Sequence, residues 1–162
     1  MNELPGWLKH ATVWLLLAAG LFLGVQAWLA QRQATQFVVD GGTLQIRRNA
    51  DGHYHWPGRV NGREVEFLVD TGATGTTLPA ALARELALPV VGRVQSSTAG
   101  GVVQGSVVVA DLVLEGGVRA ERLRMAVLPS LTAPLLGMDV LGKLRWQQND
   151  GVLRVELQRP PP

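Results

Sequence analysis

A carboxylate ends an apolar run in Phe67-Leu68-Val69-Asp70-Thr71-Gly72-Ala73-Thr74-Gly75-Thr76-Thr77-Leu78-Pro79. Closing a buried strand on an ionisable group is costly unless the charge meets a partner or moves a proton. Thr71 supplies a hydroxyl that can bond to backbone and pin the loop. Gly72, with no side chain, admits unusual dihedral angles and close approach of a second main chain or a ligand. Thr74, Thr76 and Thr77 add hydroxyls before Leu78-Pro79 turns back to the interior. The chemistry open to such a loop is general acid–base work by the Asp70 carboxyl. The chain has no cysteine, which removes thiol nucleophiles, disulfides and thiolate metal sites.

Strand-forming runs alternate with turn signals through most of the chain. Thr43 to Arg48 is followed by the turn Asn49-Ala50-Asp51-Gly52. His53 to Val60 leads into Asn61-Gly62, a type I′ hairpin signal. Arg63 to Val69 alternates, with Val65, Phe67 and Val69 on one face and Glu64 and Glu66 on the other. A short helix is expected from Pro79 to Leu86, where proline opens and alanine and leucine fill the body. Strands resume at Arg93 to Ser97, Val102 to Leu114 and Val118 to Leu128. The apolar pair Leu135-Leu136 precedes a helical turn at Met138 to Leu141. A last hairpin joins Leu144 to Gln148 with Val152 to Gln158 around Asn149-Asp150-Gly151. The pattern predicts an all-β domain, barrel or sandwich, over residues 43–158 with one short helix.

Residues 1–10 form a short tail ahead of Ala11 to Ala30, a run without charge. At a rise of roughly 1.5 Å per residue it spans about 30 Å, the thickness of a bilayer's hydrocarbon core. Trp14 and Trp28 stand near its ends, where indoles favour the interface. A transmembrane anchor over residues 11–30 is expected. The rival is a cleaved signal peptide ending at Val25-Gln26-Ala27. Lys9 flanks one side and Arg32, Arg47 and Arg48 the other, so counting positive charges does not by itself favour export. The short tail before a first apolar segment points to a signal anchor with the domain outside. Residues 31–42 read as a polar linker, and residues 159–162 as a frayed Pro-rich tail.

Leu68-Val69-Asp70-Thr71-Gly72-Ala73 resembles the active-site loop of the aspartic proteases, two apolar residues followed by Asp-Thr/Ser-Gly and a small residue. Ala133-Pro134-Leu135-Leu136-Gly137-Met138-Asp139 is similar to the second motif of the retroviral-type branch, two apolar residues and glycine before a small helix. Ser96 to Ser106, with Thr98, Ala99, Gly100 and Gly101 at its centre, stands where that branch places a β-hairpin flap over substrate. The resemblance spans residues 43–158 and is greatest to bacterial retropepsin-like proteases with an N-terminal membrane segment. It implies a small closed barrel of the retropepsin type, an aspartic endopeptidase acting on protein or peptide, and no cofactor. In a bacterium, the signal anchor expected above would make this an inner-membrane protein with its domain in the periplasm.

The family's chemistry needs two carboxylates that share one proton. This chain has a single Asp-Thr-Gly. Asp51 and Asp150 sit in turns, Asp40 borders the linker, and Asp139 suits a helix N-cap. A homodimer joined through the active-site loops is therefore expected, each subunit giving one Asp70. The resemblance makes Thr71 the residue that crosses to the partner loop, with Gly72, Ala73 and Thr74 supporting it and Leu135, Leu136 and Gly137 forming the second motif. Ala73 stands where the pepsin branch has a hydroxyl able to favour the ionised acid, so an optimum less acidic than pepsin's is expected.

Other readings are weaker. Phosphate-binding Asp-x-Gly-Thr loops belong to folds with far more helix than this sequence offers. His53 and His55 could share a strand face, but no third ligand lies near, and no metal site is expected. Arginines are scattered, without a basic stripe or interleaved aromatics, and nucleic acid is not expected. A catalytically silent, membrane-tethered β module that binds extended peptides would keep the fold without needing the acid at position 70.

Overall fold

The computed structural model describes residues 6–33, 37–40, 42–98 and 101–157, and within the N-terminal helix the side chains of residue 7 and residues 10–26. The chain divides into two units, Met1–Ala34 and Thr35–Pro162. In the first, helix α1 runs over Gly6–Gln33. Every side chain described in it is exposed, among them Trp14, Leu15, Leu16, Leu17, Leu21, Phe22 and Leu23. Among the described residues, no helix is long and apolar enough to cross a membrane. The run expected as an anchor, Ala11 to Ala30, ends in residues 27–30, whose side chains lie outside the described set.

The second unit is mostly β. In chain order it contains β1 (Phe37–Asp40), β2 (Thr43–Arg47), β3 (His55–Val60), β4 (Arg63–Val69), β5 (Thr77–Pro79), α2 (Ala80–Glu85), β6 (Val90–Thr98), β7 (Gly101–Leu114), β8 (Arg119–Leu128), β9 (Leu135–Leu136), α3 (Met138–Leu141), β10 (Arg145–Asn149) and β11 (Val152–Glu156). One sheet has the order β1-β2-β11-β10; the other has the order β3-β4-β9-β5-β8-β7-β6, with β3 also paired to β7. The alternation read in β4 is realised: Val65 and Phe67 are buried, Glu64 and Glu66 exposed. Asn61 (φ 47°) and Gly62 (φ 82°) both take the left-handed region, as a type I′ turn requires. Asp150 (φ 49°) and Gly151 (φ 72°) turn the last hairpin in the same way.

Residues from both sheets meet in one apolar core, Leu44, Ile46, Leu153 and Val155 from the first and Trp56, Phe67, Leu78, Met125 and Leu136 from the second. Burying side chains of this size is worth roughly 1.5–3 kcal/mol each. Trp56 is fully enclosed and its indole N–H donates to the Glu115 carbonyl at 2.9 Å, so its one polar atom is satisfied.

Three local expectations differ from the structure. β1 lies inside the stretch read as linker, where it pairs with β2. β5 has too few residues and a proline too many to signal a strand; it forms because β8 and β9 pair with it from either side. β3 begins at His55, so His53 stays in the preceding loop, its N–H donating to Asp51 Oδ1 at 2.9 Å, and the two histidines do not share a strand. Among the described residues, no group of three or more His, Asp or Glu could hold a metal.

Candidate active site

The two motifs meet because β9 inserts between β4 and β5, parallel to β4 with Leu68 opposite Leu135 and Val69 opposite Leu136. Leu68 N–H donates to the Pro134 carbonyl at 2.9 Å, and Asp70 N–H to the Leu136 carbonyl at 3.0 Å. From the other side, Val69 N–H donates to the Tyr54 carbonyl at 2.9 Å. The strand that carries Asp70 is thus held on both edges up to the residue where it becomes loop.

Beyond that point the chain turns tightly. Ala73 N–H donates to the Asp70 carbonyl at 3.2 Å, and Gly72 N–H to the Asp70 carboxylate Oδ1 at 2.8 Å. A side chain at Gly72 would put its Cβ 3.2 Å from that same oxygen. Asp70 and Ala73 are half-buried, while Thr71, Gly72 and Thr74 face solvent. Among the described residues no ion pair reaches Asp70. Its charge rests on one backbone donor and on whatever enters the space before it.

The second motif then ties the loop down. Met138 N–H donates to the Ala73 carbonyl at 2.8 Å and Asp139 N–H to the Thr74 carbonyl at 3.1 Å. Asp139 Oδ1 accepts the Thr76 N–H and hydroxyl, both at 2.9 Å, and the Val140 N–H at 3.0 Å. Thr76 is fully buried, and its oxygen also accepts the Gly137 N–H at 3.4 Å. The N-cap expected of Asp139 falls instead to Gly137, two positions earlier, which has no side chain to cap with. Asp139 stands in the first turn of α3 and spends its carboxylate on a loop 63 positions earlier. This tie was missed from the sequence; its only trace there is a buried-type position, Thr76, filled by a hydroxyl.

The structure therefore brings Asp70, Thr71, Gly72, Ala73 and Thr74 together with Leu135, Leu136 and Gly137. The flap residues belong to a separate feature. β6 and β7 pair antiparallel as far as Thr98 opposite Gly101. Ala99, Gly100 and the side chain of Thr98 lie outside the described residues. β8 meets β7 only from Ser106 onward, so the outer part of the β6–β7 hairpin is a two-stranded ribbon beyond the sheet.

Set beside solved structures, this arrangement has the retropepsin fold. A retropepsin-like aspartic protease from Rickettsia conorii matches with a TM-score of 0.58 at 22% identity, covering 75% of this chain and 95% of that one. The EIAV protease, solved with the inhibitor HBY-793, matches with a TM-score of 0.52 at 22% identity, covering 59% and 90%. Residues 56–143, over half of the chain, match the family described as "gag-polyprotein putative aspartyl protease". The chain belongs to that family, and fold and family together define an aspartic peptidase of the retropepsin type. No curated protein matches it.

Proposed function

We propose that this protein is a membrane-anchored endopeptidase in which Asp70 residues from two subunits act on one water molecule. The observation that carries the reading is the state of Asp70 within its own chain. The carboxylate is half-exposed, bonded by Gly72 N–H, without an ion pair among the described residues, and bordered by the exposed residues Thr71 and Gly72. That is half of a site. A second copy related by a two-fold axis supplies the other half.

Two such carboxylates hold one proton between them, and the titration belongs to the pair. The ionised member takes a proton from the bound water as its oxygen attacks the peptide carbonyl. The protonated member donates to the carbonyl oxygen as the tetrahedral intermediate forms. Thr71 pins the facing loop, Ala73 and Thr74 carry the carbonyls that α3 grips, and the β6–β7 ribbon closes over the substrate with Thr98 to Gly101 at its tip. An extended peptide binds by main-chain pairing with ribbon and loops, and apolar side chains are favoured.

The uncharged run from Ala11 to Ala30 and the exposure of every described side chain of α1 support a single-pass anchor. We place the domain on the periplasmic side of an inner membrane. There the anchor confines both copies to two dimensions and raises their effective concentration.

The test is Asp70→Asn in the full chain, assayed on unfolded casein. The substitution keeps shape and removes the titrating group, so cleavage drops to background. Undiminished cleavage would show that Asp70 does not perform it, and a wild-type chain that cleaves nothing would favour a silent peptide-binding module.

A further inference from the structure

We propose that the groove between β8 and α3 is a docking site for an acidic, extended segment of a partner protein. β5 pairs with β8 only at Ala126, Val127 and Leu128, so among the described residues the stretch from Arg119 to Met125 has no strand on that edge. Along it lies a depression of about 510 Å³ with Leu123 and Val140 in its floor and Arg119, Arg122, Arg124 and Lys143 around its rim. All four cations are exposed, and among the described residues none has an ion pair. The carboxylates in the lining are Glu121 and Asp139, and Asp139 is engaged by Thr76 through Oδ1.

Arg122 adds an independent sign. Its φ of 51° lies in the left-handed region, which an arginine adopts only at a cost. Glu121 and Arg122 together stand opposite the single residue Asp111, between the pairs Ala110↔Leu123 and Leu112↔Ala120, and so form a bulge. Asp111 Oδ1 accepts the Arg122 backbone N–H at 2.8 Å, and Asp111 N–H donates to Asn61 Oδ1 at 2.9 Å. Asp111 Oδ1 thus serves the Arg122 backbone, and among the described residues no carboxylate pairs with its guanidinium.

Four like charges around one groove repel, and a ligand bearing carboxylates relieves that repulsion. An unpaired strand edge offers N–H and C=O groups to an added strand, whose alternate side chains then fall on one face about 7 Å apart. Carboxylates at every second position would meet the rim while apolar side chains meet the floor. A concave site suits a chain better than a flat lipid surface, and no aromatic side chain lines it to stack a base.

The test uses the full chain carrying Asp70→Asn in detergent micelles, so that binding is read without cleavage and independently of the proposed chemistry. A fluorescent peptide alternating glutamate with valine is titrated by anisotropy against the same peptide with glutamine for glutamate. The glutamate peptide is expected to bind at least about tenfold more tightly, with affinity falling as salt rises. Arg122→Glu with Arg124→Glu is expected to lose about tenfold or more; Lys143→Glu, remote from the bulge, repeats the test should that pair melt early. Equal affinity for both peptides, affinity unmoved by the charge reversals, or binding confined to phosphatidylserine vesicles or an oligonucleotide would overturn the proposal.

Discussion

Gly137 lies so close to Gly75 that a Cβ built on it would fall 2.4 Å from the Gly75 carbonyl carbon and 2.6 Å from its oxygen. The contact is backbone against backbone, so no rotamer change relieves it. It marks the point where the strand bearing Leu136 crosses the loop that began at Asp70, and Leu136 is also where Asp70 N–H is held. Gly137→Ala is therefore expected to cost about 3 kcal/mol or more. Urea unfolding measures that loss. Cleavage by the fraction still folded is expected to fall as well, because the displaced strand carries the acceptor for Asp70.

The bond set of Asp139 leads to a paired prediction. Asp139→Ala leaves the N–H and hydroxyl of the fully buried Thr76 without their acceptor. Each stranded donor costs about 1–3 kcal/mol. Asp139→Asn keeps a side-chain oxygen in place and is expected to recover most of that stability, within about 1 kcal/mol of the parent. Comparing the two variants by urea unfolding separates the need for an acceptor from the need for a charge.

Far from this loop, Asp51 predicts a dependence on pH. The His53 backbone N–H holds its carboxyl below the ordinary value of 3.8 against the opposing effect of desolvation, with the His55 side chain lowering it further. A group lowered on folding adds stability above its unfolded value and loses it as pH falls through the folded one. Asp51→Asn is thus expected to lower the melting temperature slightly at neutral pH, and the difference should shrink at pH below 3.8. The effect is small because the side chain is 47% exposed. Thermal melts of both forms across that range check the sign.

What could be read from the sequence was mostly what neighbours in the chain decide. The Asn61-Gly62 and Asp150-Gly151 turns, the alternation of Arg63–Val69, the helix after Pro79 and the turn at Met138–Leu141 all follow from local residues, and the structure has them. Strand β5 did not show, because three residues including a proline become a strand only between two partners that come from later in the chain. The bond between Thr76 and Asp139 was hidden for the same reason: a free aspartate at a helix start has a cheap local explanation, and the true one lies 63 residues away. The loop at Asp70 was legible because its chemistry needs a carboxylate, a small residue and an apolar strand side by side.

The central claim is that one active site takes Asp70 from each of two subunits, and mixing subunits tests it most directly. Wild-type chain is refolded together with the Asp70→Asn chain over a range of proportions, at fixed total protein and under dimerising conditions, and casein cleavage is measured. If both carboxylates are required, activity follows the square of the wild-type fraction and falls to about a quarter in an equal mixture. Activity in direct proportion, about half in that mixture, would mean that each chain works with its own acid alone and would contradict the account.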